Sequence, residues 1–120
     1  MVVDDDVGMN TAIQRLLHAA GYTTSTFSSA EALLATNEAE ICACLILDIH
    51  LPGISGFDLA KQIRQQGLQT PVIFITAYDT EDFYSRSKEV GAIASMTKPF
   101  PGEKLLSEIN LALINQDKLL

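Results

Sequence analysis

Apolar residues recur along this chain in two alternating rhythms. Short continuous runs of the kind that make buried strands are separated by stretches where apolar residues return every three or four positions. Met1-Val2-Val3 is the first run, and Asp4-Asp5-Asp6 closes it; it is short enough to read as a strand trimmed at its start. Met9, Ile13, Leu16, Leu17 and Ala20 then share one helical face between Val7 and Ala20, and Gly21 stops that helix. Tyr22 to Phe27 alternates threonine and aromatic residues and predicts a second strand. Ser28 or Ser29 would cap a short helix through Ala30, Leu33 and Leu34. Ile41 to Leu47 is the third strand, and Phe57, Leu59, Ala60 and Ile63 mark a third helix ending near Gly67. Pro71 introduces a fourth strand, Val72 to Thr76, apolar on both faces and therefore central. Asp79 to Val90 is the weakest helix, with Phe83, Tyr84 and Val90 as its only large apolar residues. Ala92 to Thr97 is the fifth strand and Lys98-Pro99-Phe100-Pro101-Gly102 a loop. The last helix uses Leu105, Leu106, Ile109, Ala112, Leu113 and Ile114.

Strand and helix thus alternate five times without repeats or an internal linker. That pattern predicts one α/β domain, a parallel sheet covered on both faces by right-handed crossover helices. At 120 residues, 48% apolar and 19% charged, the chain can bury a core of its own. No apolar run approaches the ~18–20 residues that span a bilayer, and the start runs straight into three aspartates. A cytoplasmic location, away from membranes, is the expectation. Eight basic against 15 acidic residues, a net charge of −7, argue against nucleic-acid binding by this segment. Cys42 and Cys44 lie two apart in the predicted strand, on one face, and read as small buried hydrophobes; no second Cys/His pair would complete a zinc site.

The chemistry gathers where the strands stop. Asp4 and Asp5 close the first strand, Asp48 the third, Thr76 the fourth and Lys98 the fifth. A lone Asp48 would be read as a cap for the turn marked by Pro52-Gly53 and Ser55-Gly56. In a parallel sheet, however, all these ends share the edge where ligands bind. Three converging carboxylates repel unless a cation neutralises them, and hard oxygen ligands favour Mg²⁺. A lysine and a hydroxyl on the same rim suit a tetrahedral oxyanion. Cation, anion subsite and a carboxylate between them describe phosphoryl transfer to an aspartate.

Four motifs carry a resemblance: Val2-Val3-Asp4-Asp5, Leu47-Asp48 with Leu51-Pro52-Gly53 and Gly56, Ile75-Thr76-Ala77, and Lys98-Pro99-Phe100. In this order, each ending a predicted strand, they resemble the receiver domain of bacterial two-component response regulators over nearly the whole chain, 1–120. The wording is most similar to regulators with a helix-turn-helix output domain, which is not present in this segment. The resemblance implies a flavodoxin-like doubly wound (βα)5 sandwich with strand order 2-1-3-4-5. It implies that Asp48 takes a phosphoryl group from a sensor histidine kinase or phosphotransfer protein, driving a conformational change that controls an output domain or partner, in transcription regulation. Asp5, Asp48 and the main-chain carbonyl of His50 would bind Mg²⁺, with Mn²⁺ able to substitute and Asp4 assisting through water. Thr76 and Lys98 would contact the phosphate, Ala77 would leave access to it, and Lys98–Pro99 would be cis. The face of the fourth helix, fifth strand and fifth helix is where related domains commonly pair, so a homodimer is open. The chain is either a single-domain regulator or a receiver cut from a longer protein.

Each residue also has a plainer reading. Asp6 is expected to cap the first helix rather than bind metal. His50 reads as a solvated side chain, the alternative being contact with the metal or phosphoryl group. With Tyr78 it would flank the entrance and tune the loss of phosphate to water. One position departs from the family: Ser95 stands where a switch Tyr or Phe is usual, so coupling would run through displacement of the weak fourth helix. Three other classes compete. A flavodoxin-like electron carrier would need a first loop that cradles a flavin phosphate, which three aspartates repel. A haloacid-dehalogenase-like phosphatase would want a second Asp where His50 stands. A receiver-shaped module that is never phosphorylated has the acceptor residues against it.

Overall fold

The computed structural model describes residues 1–36, 42–78 and 82–118, with side chains through 114. Its elements are β1 (Val2–Val3), α1 (Val7–Ala19), β2 (Thr26–Phe27), α2 (Ala30–Leu34), β3 (Leu45–Asp48), α3 (Gly56–Gln65), β4 (Val72–Thr76), α4 (Phe83–Glu89), β5 (Ala94–Thr97) and α5 (Gly102–Lys118). Every strand pairing is parallel and the order is β2-β1-β3-β4-β5, as the resemblance implies. The chain reverses its winding between β1 and β3, so the carboxyl ends of those two strands open a crevice.

Side-chain alternation divides the core into two apolar layers. Leu45 and Leu47 of β3, with Val3 and Phe74, pack against Leu33 of α2, Leu59 and Ile63 of α3 and Phe83 of α4. Val2, Ile46, Ile73, Ile75 and Met96 face the other way, onto Ile13 and Leu17 of α1 and Leu105 and Ile109 of α5. Each fully buried Leu, Ile or Phe contributes on the order of 1.5–3 kcal/mol. Polar caps fix the starts of α1, α2 and α3. Asp6 accepts from Gly8 N and Met9 N, as expected, Ser29 from Ala32 N, and Ser55 from Asp58 N.

Periodicity overestimates several elements. Tyr22 to Ser25 is not strand, because a ladder extends only as far as its partner and β1 is two residues long. Tyr22 N instead closes the end of α1 on Leu17 O. The third strand begins at Leu45, opposite Val72, rather than at Ile41, which lies outside the described residues. Cys42 therefore escapes the strand alternation and is half-buried against the layer of Leu45 and Leu47, whereas Cys44 is buried in the other. Burial pushes the Cys44 thiol up to about 11, leaving it protonated and inert. Ala20 is exposed beyond the end of α1, and Ile114 is 48% exposed on the outer face of α5. The weak fourth helix runs only from Phe83 to Glu89, residues 79–81 lying outside the described ones, and β5 starts at Ala94. In α4 Phe83 is buried while Tyr84 is 46% exposed.

Candidate functional site

Register brings the motif residues together at the carboxyl edge of the sheet. Asp48 is the last residue of β3, paired with Ile75, and Thr76 is the last of β4, paired with Thr97. Lys98 N donates to Thr76 O at 2.7 Å, so the β4–β5 ladder delivers Lys98 to the rim. The Lys98–Pro99 bond is cis. At the start of α3, glycine is required because a Cβ on Gly56 would lie 2.3 Å from the backbone oxygen of Asp48. Helix and acceptor strand therefore sit closer than any other residue permits.

Three carboxylates meet there. Oxygens of Asp4, Asp5 and Asp48 lie within 4.8 Å of one another; Asp4 and Asp48 are buried and Asp5 is exposed. Lys98 Nζ bridges the buried pair, 2.7 Å from Asp4 Oδ2 and 3.4 Å from Asp48 Oδ2. Asp4 is engaged on its other oxygen by Asp6 N at 2.9 Å, and Asp48 Oδ1 accepts from His50 N at 3.1 Å. Burial, and next the charge of Asp4, push the Asp48 carboxyl up to about 6, against the opposing pull of Lys98 and the His50 amide. Burial alone would lower Lys98, but its contacts with Asp4 and Asp48 outweigh that and raise it, so the ammonium stays charged. A buried carboxylate pair with one cation and a third carboxylate open to solvent is a donor set that fits a small hard cation such as Mg²⁺. Asp5 lies at the open side, whereas Asp4 is tied to Lys98 and to Asp6 N.

The remaining predicted residues are placed as follows. Thr76 is fully buried, and its hydroxyl is turned into its own loop, donating to Tyr78 O and accepting from Tyr78 N, both at 3.1 Å. Ala77 is exposed beside it. His50 and Tyr78 are also exposed and meet edge to face, with ring centroids 5.4 Å apart at 81°. Ser95 lies on β5 opposite Phe74 and lines a cleft of about 220 Å³ with Tyr84, Ser87, Lys88 and Ile93. A second cavity, of about 300 Å³, lies at the far end of the sheet around Leu17, Tyr22, Cys44 and Leu113, away from the carboxylates.

Two residues outside the motifs support the site. Asn10 is buried on α1, and its Nδ2 donates to the backbone oxygens of Asp4 and Phe27 at 2.7 and 3.3 Å, joining the ends of β1 and β2. The available signal is a polar residue on the stripe of Ile13 and Leu17. Glu31 of α2 accepts from Ile54 N at 2.9 Å, and nothing local in the sequence points to it.

A family model described as response regulator receiver domain matches residues 1–110. The response regulator protein TodT of Pseudomonas putida is 36% identical over 112 residues, covering 93% of this chain and 49% of that protein. The alkaline phosphatase synthesis transcriptional regulatory protein PhoP of Bacillus subtilis is 35% identical over 113 residues, covering 94% of this chain and 47% of its own length. The chain therefore spans about half the length of these relatives. The solved structure of the response regulator StyR superposes with a TM-score of 0.89 at 34% identity, over 98% of this chain and 59% of that one.

Proposed function

The chain belongs to the response regulator receiver family, and from that premise we propose that Asp48 accepts a phosphoryl group from a phosphohistidine of a sensor histidine kinase or phosphotransfer protein. It is a regulatory domain of two-component signalling rather than a turnover enzyme. The observation that carries the reading is the buried Asp48 carboxylate flanked by Asp4, Asp5 and the bridging Lys98.

An ionised Asp48 oxygen attacks phosphorus; the phosphorus–nitrogen bond to the donor imidazole breaks, and its electron pair leaves with the nitrogen. Lys98, held more closely by Asp4 than by Asp48, stays at the site and pairs with the incoming phosphoryl oxygens. Asp5, Asp48 and the main-chain carbonyl of His50, with Asp4 assisting through water, would hold Mg²⁺ or Mn²⁺, which would supply charge neutralisation there. The Thr76 hydroxyl leaves Tyr78 O and donates to a phosphoryl oxygen. That exchange rearranges the β4–α4 loop, and displacement of α4 carries the change outward. Attack of water on the acyl phosphate resets the domain, and the His50–Tyr78 ring pair restricts that water.

The reaction belongs in the cytoplasm. Its outcome controls an output domain or partner protein, in transcription, as the name of the relative PhoP suggests; the face of α4, β5 and α5 offers a surface for homodimer contact. The test is intact mass after incubation with Mg²⁺ and acetyl phosphate. A gain of one phosphoryl unit that Asp48→Asn abolishes supports the reading. No gain under any metal condition would leave a receiver-shaped interaction module.

A further inference from the structure

The segment that follows Asp48, from His50 to Ser55, has no regular secondary structure, yet it must hold its place beside the acceptor. Its own backbone supplies part of the restraint, since Leu51 N and Gly56 N both donate to Ile49 O, at 3.1 and 3.0 Å. Those bonds fold the loop's two ends together and leave its tip, Gly53–Ile54, to be held from outside.

Glu31 stands at that tip. Its Oε1 accepts the hydrogen bond of Ile54 N at 2.9 Å and lies so close to Gly53 that a Cβ there would come within 2.6 Å of it. Gly53 also has φ +74°, a conformation L side chains rarely adopt. The helix that carries Glu31 is itself anchored: Ala30 and Leu33 are fully buried, and Ser29 Oγ caps Ala32 N at 3.1 Å. A fixed post on α2 thus holds the loop tip by its backbone, alongside the packing of the half-buried Ile54 against the core. The bond also lowers the Glu31 carboxyl, despite its exposure, because an N–H donor favours the ionised form.

We infer that Glu31 is a positioning residue for the acceptor site, its carboxylate holding the Gly53–Ile54 tip so that the His50 backbone keeps its place beside Asp48. The inference rests on the reading of Asp48 as a metal-assisted phosphoacceptor. Partners that orient metal-binding groups without touching the metal typically change affinity by about 10–100-fold when lost. Glu31 would therefore act on metal affinity more than on phosphorylation at saturating metal.

The experiment compares wild type, Glu31→Ala and Glu31→Gln by Mg²⁺ titration followed through backbone amide shifts, by amide exchange at Ile54 without metal, and by acetyl phosphate labelling across Mg²⁺ concentrations. Glu31→Ala should weaken Mg²⁺ about ten-fold, speed Ile54 exchange and leave labelling at saturating Mg²⁺ close to wild type. Glu31→Gln, whose amide oxygen accepts the same bond, should restore both affinity and protection. Unchanged Mg²⁺ affinity in Glu31→Ala overturns the inference, as does a Glu31→Gln protein that behaves like the alanine variant. Wild type that binds Mg²⁺ but takes no phosphate would sink the acceptor reading alone, since affinity and exchange still decide the role of Glu31. Wild type that binds no Mg²⁺ overturns both.

Discussion

Lys98 Nζ stands 3.4 Å from Asp48 Oδ2, although 50 residues of sequence separate the two. Asp4 holds the same ammonium at 2.7 Å, so Asp48 has the weaker claim on that cation. Burial first, and then the charge of Asp4, push the Asp48 carboxyl up to about 6, and the shared Lys98 offsets them only in part.

Asp48 therefore costs the metal-free domain stability. A carboxyl raised in the folded state binds its proton more tightly there than in the unfolded chain, so stability falls as pH rises from about 4 through about 6. Asp48→Asn removes that cost and should be more stable at neutral pH, by at most about 3 kcal/mol because the Lys98 contact is also lost. The advantage should shrink to nothing below about pH 4. Thermal unfolding in chelator across pH measures it, and an Asn variant no more stable than wild type at neutral pH would contradict the account.

Removing the cation should do the reverse. Lys98→Met leaves Asp4 and Asp48 facing each other with no counter-charge, and breaking a buried pair this way typically costs about 3–5 kcal/mol. Added Mg²⁺ should recover part of that loss, because a divalent cation can take over the neutralisation. Denaturant melts with and without Mg²⁺ report both effects, and a deficit indifferent to Mg²⁺ would argue against a cation site here.

Gly56→Ala should damage the site without touching its chemistry. The new Cβ would meet the Asp48 carbonyl at 2.3 Å, and neither backbone can yield without moving β3 against α3. We expect a loss of about 3 kcal/mol, read in a denaturant melt. Stability equal to wild type would mean that the helix can shift freely.

The His50–Tyr78 contact predicts a rate. On the proposed role of this ring pair, Tyr78→Ala should speed loss of phosphate from Asp48, measured as decay of the phosphorylated mass after the donor is removed. Tyr78→Phe keeps the ring and should decay like wild type. An unchanged rate in Tyr78→Ala would show that the ring does not restrict water.

The open cleft beside Ser95 predicts a mobile α4. With one buried aromatic and a seven-residue length, α4 should exchange its amides fast, and more slowly once Asp48 is phosphorylated. Ser95→Phe puts a ring into the cleft of about 220 Å³ and should slow exchange across Phe83–Glu89 even without phosphate. Equal exchange in all three states would remove α4 from the signalling path.

Much of this site was legible in residue order. An apolar run that stops at Asp48, another at Thr76, and the capping residues Asp6 and Ser29 are local features, set by backbone geometry within a few positions. Such features fail where the partner decides. Tyr22 to Ser25 has a strand's pattern but no strand opposite it, and Cys42 loses its predicted face because β3 begins only where β4 can pair with it. Asn10 ties Asp4 to a backbone oxygen 17 residues from itself, and Glu31 holds a backbone group 23 residues away, which no spacing rule anticipates.

The sequence alone determined the alternation of elements, the family, and the residues at the carboxyl edge, because periodicity and strand termination are written in nearest neighbours. Tertiary structure alone decided how those residues divide the work. Register and packing bury Asp4 and Asp48 but expose Asp5, give Lys98 to Asp4 before Asp48, and turn the Thr76 hydroxyl onto Tyr78. Distances between strand ends depend on how five strands twist and pair, and charges brought within a few ångströms under cover from water interact far more strongly than separation along the chain would suggest.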